Sequence, residues 1–111
     1  MIVFLKYIVV YMSVVISPSI YCLMSPSKRI MYIGRTTQNT RFSKHRSHYK
    51  RYLQNKNFCM WYSAFDVLKC DDVEYHLIKE CKDKDESIQA EKDIIQCFKN
   101  ACIFHVVNKI Y

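Results

Sequence analysis

Glu91 is the position whose surroundings point most directly to chemistry. Residues 83–98 have the spacing of an amphipathic helix, with an apolar face made of Ile88, Ile94, Ile95 and Phe98. At about 100° per residue these four span roughly 120° of the helical wheel, and Glu91 falls near the centre of that arc. A carboxylate there is costly unless it is paired or metal-bound. The pattern therefore predicts either a metal-binding or catalytic glutamate or a buried salt bridge to an arginine.

A second helix concentrates basic side chains. It is predicted to run from Thr40, as its N-cap, to about Gln54. One face holds Phe42, Tyr49 and Leu53, and the opposite side holds Lys44, Arg46, Lys50 and Arg51. Arg41 and His45 lie at the border of the two faces, one turn apart. The basic side either lies along a phosphate backbone or faces water.

Charge is distributed unevenly along the chain, whose net charge is +7. Residues 1–65 contain ten of the 17 Lys and Arg, whereas all ten Asp and Glu lie at or after Asp66. Basic side chains gain by displacing counterions from phosphates, so a polyanionic partner suits the first half. The distribution favours nucleic-acid binding slightly over a solvated basic surface.

The elements that would position these residues begin with a hairpin. Residues 20–23 and 30–33 are short β-rich runs on either side of Ser25-Pro26-Ser27-Lys28, a turn signal. The two runs are predicted to pair as antiparallel strands. Gly34, the only glycine of the chain, closes the second strand and predicts a backbone position that tolerates no side chain.

The remaining elements are read from weaker patterns. Residues 58–65 are apolar and aromatic and predict either a short helix or a strand. Asp71-Asp72 indicates a turn, and residues 73–78 alternate as a third strand with one face made of Val73, Tyr75 and Leu77. Asp83 and Glu86 have the spacing of a capping box at the start of the last helix. The order hairpin, helix, strand, helix predicts an α/β protein of the α+β type.

Size and cysteine usage limit the class of protein. A chain of 111 residues, half of them apolar, predicts one domain with a packed core. The six cysteines show no Cys-x-x-Cys and no Cys/His metal spacing. Several stand among apolar neighbours, as Cys22 and Cys97 do, which predicts reduced core cysteines in a reducing compartment.

The first 16 residues form an apolar leader interrupted by Lys6 and Ser13. It is short for a membrane span, which needs about 20 residues. It is a weak membrane or secretion signal, an extra strand, or an upstream extension with Met12 as an alternative start. The second and third interpretations are favoured. The chain is therefore divided into residues 1–16, a leader or extra strand, and a domain formed by residues 17–111.

One ordered set of motifs resembles a known family. Ser19-Ile20-Tyr21, ten intervening residues and Tyr32-Ile33-Gly34 resemble the two halves of the GIY-YIG signature. They are followed, in the family's order, by Arg41-x-x-x-His45, Glu91 and Val107-Asn108-Lys109. The resemblance to GIY-YIG endonucleases covers about residues 17–109. Thr36-Thr37-Gln38 and the ending Val-Asn-Lys are most similar to small nucleases of large DNA viruses and mobile elements.

The resemblance implies a fold and a cofactor. The fold is a small, mainly antiparallel three-stranded sheet flanked by helices. The cofactor is one divalent metal ion, Mg²⁺ or Mn²⁺, held by a single glutamate that Glu91 matches. Because Mg²⁺ keeps several waters when one carboxylate holds it, water and substrate phosphate would complete its ligands.

The resemblance also implies catalytic roles in hydrolysis of DNA phosphodiester bonds. Tyr21 and Tyr32 would lie on paired strands, and the family's first tyrosine is the usual candidate for general base. A phenol is a poor base until nearby cations lower its pKa. Arg41 matches the arginine that grips the scissile phosphate, and His45 would assist proton transfer or orient a tyrosine. Asn108 matches the asparagine that props the site or touches substrate. The expected substrate-binding residues are Gly34, Arg35, Lys44, Arg46, Lys50, Arg51 and Asn108.

The sequence departs from the family pattern in four places. Ser19 replaces the first glycine, the loop from Gly34 to Arg41 is one residue shorter, and the stretch from Glu91 to Asn108 is slightly long. The apolar leader is not a family feature.

Two other classes of protein compete with a nuclease: a catalytically inactive nucleic-acid-binding protein, and a membrane-associated or secreted protein. An intracellular location in the cytoplasm or nucleus of a host cell is expected, and membrane association is not. The chain ends three residues after Asn108. We therefore expect no separate DNA-recognition module. Sequence preference would be weak, or a homodimer or separate partner would supply it.

Overall fold

The computed structural model describes residues 15–109. Its strands are β1 (Val15–Ser25), β2 (Ile30–Gln38), β3 (Glu74–Glu80) and β4 (His105–Val106), and its helices are α1 (Arg41–Gln54), α2 (Ser63–Leu68) and α3 (Lys84–Ala101). The predicted order of hairpin, helix, strand and helix is confirmed, and the ambiguous stretch 58–65 leads into the helix α2.

Among residues 15–109, four strands form one sheet in the order β3-β1-β2-β4. β1 lies inside the sheet and pairs antiparallel with both β2 and β3, whereas β4 pairs parallel with β2. The prediction of three strands is therefore wrong, and the sheet is mixed. Two residues are too few to display the alternation that marks a strand. β4 is instead held by backbone bonds from His105 N to Arg29 O and from Val107 N to Met31 O, both 2.8 Å.

The β1–β2 hairpin is longer than predicted, and its pairing is shifted by two residues. Tyr21 pairs with Gly34, and the strands continue to the pair Ser25 and Ile30. The carboxylate of Asp72 accepts bonds from Ser25 Oγ at 2.5 Å and from Ser27 N at 2.8 Å. These bonds hold the pKa of Asp72 at about 2, chiefly through Ser25. A side chain distant in sequence thus helps to close the loop.

Alternation along β1 divides the core between the two sheet faces. Ile20 and Cys22 belong to a cluster completed by β2, β4 and α3, with buried Ala90 and Ile95 from that helix. Tyr21 and Leu23 belong to a second cluster with α2, whose buried members are Ala64, Phe65, Val67 and Leu68. Tyr21 therefore faces α1 and α2, while α3 covers the opposite face.

The helices begin where predicted. Thr40 is the N-cap residue of α1, although its side chain makes no capping bond. Asp83 caps α3 by accepting from Glu86 N at 2.8 Å. α3 ends at Ala101, three residues beyond the predicted end at Phe98, because Cys102 adopts a left-handed conformation with φ 58°.

Two predicted apolar faces are wrong at one residue each. Leu53 is exposed, and Tyr52 packs with the second core cluster instead, beside Phe42 and Tyr49 of the predicted face. Leu77 is exposed although Val73 and Tyr75 pack against that cluster. Leu77 pairs with Tyr21 in the same register as Tyr75 with Leu23, but it lies on the edge strand β3, next to an irregularity of the β1–β3 pairing.

All six cysteines are free. Cys22 and Cys81 are buried, but Cys97 and Cys102 are exposed, so the prediction of core cysteines is wrong for these two. Cys97 follows buried Ile95 by two residues, and a separation of about 200° turns its side chain to the other side of α3.

The leader falls largely outside the described residues. β1 begins at Val15, so the last two residues of the predicted leader belong to a strand of the sheet. Residues 1–14 are not described. Within residues 15–109, no helix has the length and apolar character needed to cross a membrane.

Candidate active site

The buried hydroxyl of Tyr21 is the centre of the site. Tyr21 stands on the inner strand β1, and its side chain is fully buried. Its Oη lies 2.6 Å from His45 Nε2 and accepts a bond from Arg41 Nε at 3.4 Å. Arg41 and His45 come from the first two turns of α1, where a spacing of four residues places both on the side that faces the sheet.

Gly34 makes room for that hydroxyl. It lies opposite Tyr21 in the β1–β2 pairing. A Cβ atom built on Gly34 would lie 2.5 Å from Tyr21 Oη and 2.6 Å from Cζ, which is well inside van der Waals contact. The φ angle of Gly34 is not positive, so the requirement is for space rather than for backbone freedom. This is the structural reason behind the prediction that the position tolerates no side chain.

Tyr32 completes an aromatic group around the hydroxyl. Its ring centroid lies 6.4 Å from that of Tyr21 and 5.8 Å from that of His45, in an edge-on arrangement with the histidine. Tyr75 of β3 stacks on Tyr21 at 5.3 Å and on Phe42 of α1 at 5.6 Å. The ring of Tyr21 is thus held in place by neighbours from β3 and α1.

Burial sets the protonation states in this group. It raises the pKa of Tyr21 well above its ordinary value, with Tyr32 adding to the effect and Arg41 opposing it. Burial is the largest cause that lowers the pKa of His45 to about 4, and the positive charge of Arg41 is the second. His45 is therefore neutral at neutral pH. Its Nε2 accepts the proton of the Tyr21 hydroxyl when the ring proton is on Nδ1.

Glu91 lies on α3, one turn after buried Ser87 and one turn before buried Ile95. Its Oε1 is 3.4 Å from Arg35 Nε, and the side chains of Glu91 and Arg35 are 13% and 35% exposed. The salt bridge that the sequence offered as one alternative is therefore present. Burial nevertheless raises the pKa of Glu91 above its usual value despite Arg35, so one half-exposed arginine does not fully offset the burial of the carboxylate.

Tyr32 connects the two parts of the site. After burial, which raises its pKa, the largest influences are Arg41, which lowers it, and the carboxylate of Glu91, which raises it. Arg35 and Arg41 also line the same groove of about 340 Å³, together with Lys84. Glu91 thus acts electrostatically on the phenol that packs against His45.

The site offers a metal ion one carboxylate ligand rather than a complete set of protein ligands. Within residues 15–109, no group of three or more His, Cys, Asp or Glu side chains is arranged to hold a metal ion. Glu91 is the acidic side chain that acts on the tyrosine group. This donor set suits a hard cation that takes its other ligands from water and substrate.

Asn108 is anchored to the backbone of β2. Its Oδ1 accepts from Ile33 N at 2.9 Å, and its Nδ2 donates to Ile33 O at 2.7 Å. Both polar ends of the amide are therefore occupied by the residue between Tyr32 and Gly34. Asn108 thereby supports β2 between Tyr32 and Gly34.

The four predicted basic residues lie exposed on α1. Lys44 bonds to Gln38, Arg46 lies over the ring of Phe42 at 5.5 Å, and Arg51 lies over that of Phe58 at 5.6 Å. Lys50 borders an open groove with Arg51. No acidic residue occurs in α1, so this surface is uniformly basic.

Two residues next to the site were missed by the sequence reasoning. A cleft of about 410 Å³ is lined by Tyr32, Arg41 and His45 of the site. His48 and Tyr62 line the same cleft. His48 follows Arg41 and His45 at the i, i+4, i+7 spacing of one helix face, a signal that was available. Tyr62 lies just before α2 and carried no signal of its own.

Comparison with known proteins agrees with this geometry. Residues 17–103, most of the chain, match the model of the GIY-YIG catalytic domain. No curated protein and no solved structure matches the chain. The matched region contains the tyrosine hairpin, Arg41, His45 and Glu91. The chain therefore belongs to the GIY-YIG catalytic domain family, a family of nuclease-type hydrolases that act on DNA.

Proposed function

We propose that this protein is a metal-dependent DNA endonuclease that hydrolyses phosphodiester bonds with the tyrosine group as its catalytic centre. The observation that supports this best is the Tyr21 hydroxyl, which is bonded at once to a neutral histidine and to an arginine. Such a hydroxyl has a proton acceptor and a stabilising cation already in position. Because burial raises the pKa of Tyr21, its phenol would act as a general base only as its own proton passes to the histidine, not as a free phenolate.

The proton path runs through Tyr21 and His45. Tyr21 Oη would take the proton of the attacking water as its own proton passes to His45 Nε2, 2.6 Å away. The water oxygen then bonds to phosphorus. The bond to the leaving sugar oxygen breaks, and that oxygen departs with the electron pair and takes up a proton from solvent water. With a pKa of about 4, His45 is neutral at neutral pH, and the negative charge of a bound phosphate would raise that pKa and so favour its acceptance of the proton.

Access to Tyr21 depends on Arg41. The hydroxyl of Tyr21 is closed to solvent, and the groups bonded to it are Arg41 and His45, which line the cleft. A guanidinium pairs with phosphate by two parallel bonds, so substrate would draw Arg41 toward the phosphate. The same movement would uncover the hydroxyl. Arg41 would then neutralise charge that develops on the phosphate.

Glu91 would hold the divalent ion, Mg²⁺ or Mn²⁺. Its carboxylate is an oxygen ligand of the kind that hard cations prefer, and its raised pKa indicates that a further cation would be favourable beside it. Bound there, the ion would polarise a phosphate oxygen and lower the pKa of a bound water. Arg35, 3.4 Å from Glu91, would be free to turn to a phosphate once a metal ion shares the carboxylate.

The experiment is incubation of the purified protein with supercoiled plasmid and Mg²⁺ or Mn²⁺. We expect conversion to nicked or linear DNA, and EDTA should abolish it. Binding of the same plasmid in EDTA is measured in parallel by gel shift. Folded protein that binds DNA but leaves it intact with both metals and with several DNA forms would establish a binding protein instead of an enzyme.

A further inference from the structure

The cleft beside the tyrosine group has the chemistry of a nucleobase pocket. We call it the aromatic cleft. Its volume is about 410 Å³, and Tyr32, Lys44, His45, His48, Tyr62 and Phe65 are among its lining residues. That volume lies in the range of sites that hold small organic groups. No active-site role proposed above uses His48, Tyr62 or Phe65.

The ring of Tyr62 is presented by a firm support. His48 meets it edge-on with centroids 5.0 Å apart, and the fully buried Phe65 meets it edge-on at 5.5 Å. The side chain of Tyr62 is nevertheless 47% exposed. A fixed, half-exposed aromatic ring is the kind of platform on which single-stranded nucleic acids stack their bases.

The charges of the aromatic cleft match a nucleotide. Arg41 and Lys44 contribute positive charge, and no aspartate or glutamate is among the described residues that line it. The cations suit a phosphate, and the aromatic faces beside them suit the base attached to it. A purely apolar ligand would leave those cations without a negative partner. The occupant that fits both features is a nucleotide of the DNA itself.

The cleft is continuous with the proposed catalytic group, because Tyr32, Arg41 and His45 belong to both. A base held there is a neighbour of the phosphate that reacts. In an intact duplex a base must leave its stack to enter such a pocket, and the cost is least where the base is already unpaired. Resting on the proposed function, we infer that the aromatic cleft binds an unpaired nucleobase beside the scissile phosphate. The preferred substrates are then DNA with unpaired nucleotides, such as bulges or flaps.

The test measures binding in EDTA, so that it does not depend on turnover. Two duplexes of identical sequence are compared, one fully paired and one with a single bulged nucleotide that carries a fluorescent purine analogue. We expect the bulged duplex to bind about tenfold more tightly or better, and the analogue's fluorescence to change as it stacks. Tyr62→Leu should remove this preference and leave affinity for the paired duplex within about twofold, because the basic face of α1 supplies that affinity. Tyr62→Phe should retain the preference.

Met60→Leu is the matched control, since Met60 is 79% exposed and does not line the cleft. Ser63→Trp is the second variant, which fills the cleft and leaves Tyr62 in place, and thermal melts establish that each variant is folded. Equal affinity for both duplexes, or an undiminished preference in Tyr62→Leu and Ser63→Trp, would overturn the inference. A bulge preference that depends on Tyr62, in a protein that cleaves no DNA, would retain the pocket and refute only the proposed function.

Discussion

Substituting Glu91 by Gln separates a catalytic carboxylate from a structural one. Arg35, its partner, is 35% exposed, and half-exposed ion pairs are typically worth about 0–1 kcal/mol. Burial raises the pKa of Glu91 in spite of that partner. Its stabilising contribution is therefore present at low pH and is lost as the pH rises through the folded-state pKa. At neutral pH, Glu91→Gln should leave the free energy of unfolding unchanged or raise it by up to about 1 kcal/mol, roughly 5 °C in Tm.

Cleavage should respond very differently. A catalytic metal ion contributes several kcal/mol to the transition state, so its loss should slow cleavage by about a thousandfold or more. Affinity for DNA in EDTA should persist, because the cations of α1 are untouched. Asp93→Asn is the matched control, since Asp93 is an exposed carboxylate on the same helix that bonds to Gln89. We expect wild-type activity and stability from it.

The assay pairs thermal melts without metal with plasmid cleavage in Mg²⁺. A structural salt bridge predicts the reverse pattern. Removal of one partner of a buried pair lowers stability by about 3–5 kcal/mol and leaves chemistry in place. A strongly lowered Tm of Glu91→Gln with cleavage largely retained would refute the role of Glu91 as the metal ligand.

Protonation, packing, the leader and the basic helix each give a further prediction. The pKa of His45 is about 4, against an ordinary value of 6.5. As the pH falls from 6.5 to 4, the free energy of unfolding of the wild-type protein should therefore fall by roughly 1–2 kcal/mol more than that of His45→Gln. Urea titrations measure this difference, and parallel pH profiles of the two proteins would contradict it. Gly34→Ala should cost about 1–3 kcal/mol and displace Tyr21, and an unchanged melt would show that the strands adjust freely. Removal of residues 1–11 should leave a folded, active protein, because β1 begins at Val15; circular dichroism and plasmid cleavage check it, and loss of folding would make the leader integral. Joint alanine substitution of Lys44, Arg46, Lys50 and Arg51 should flatten the salt dependence of DNA binding by about one unit for each phosphate that these side chains neutralise, and an unchanged slope would place the DNA elsewhere.

The elements that local pattern determines were predictable. The two long helices were predicted from the spacing of their apolar residues, which lie a few positions apart in the sequence. For α3, the Asp83 cap also marked the start. The hairpin was found from its turn residues, but the bonds that Asp72 makes to its loop join residues distant in sequence and could not be predicted. β4 was missed because its two residues are specified by pairing with β2 rather than by their own pattern. Tertiary contacts decided each of these details.

The candidate site shows the same division. An arginine partner for Glu91 was one predicted alternative. Which arginine it is could not be predicted, because Arg35 reaches Glu91 only through the packing of α3 against β2. The resemblance gave Asn108 two roles, and its bonds to the Ile33 backbone could not be predicted from the sequence. Tyr62 had no counterpart in the motif. Its position in the cleft beside the site depends on the packing of α2 beside α1, so the sequence did not predict it.

The rate of a single turnover with Tyr21→Phe tests the central claim most directly. The substitution removes one oxygen and keeps the ring that stacks on Tyr75. With plasmid saturated by protein in Mg²⁺, the rate should fall at least about a hundredfold relative to wild type, as expected for loss of a general base. DNA affinity should be unchanged, and Tyr32→Phe should be affected less. A Tyr21→Phe rate within a few-fold of wild type would contradict the assignment of Tyr21 as the base, and a collapse in Tyr32→Phe alone would move that role to Tyr32.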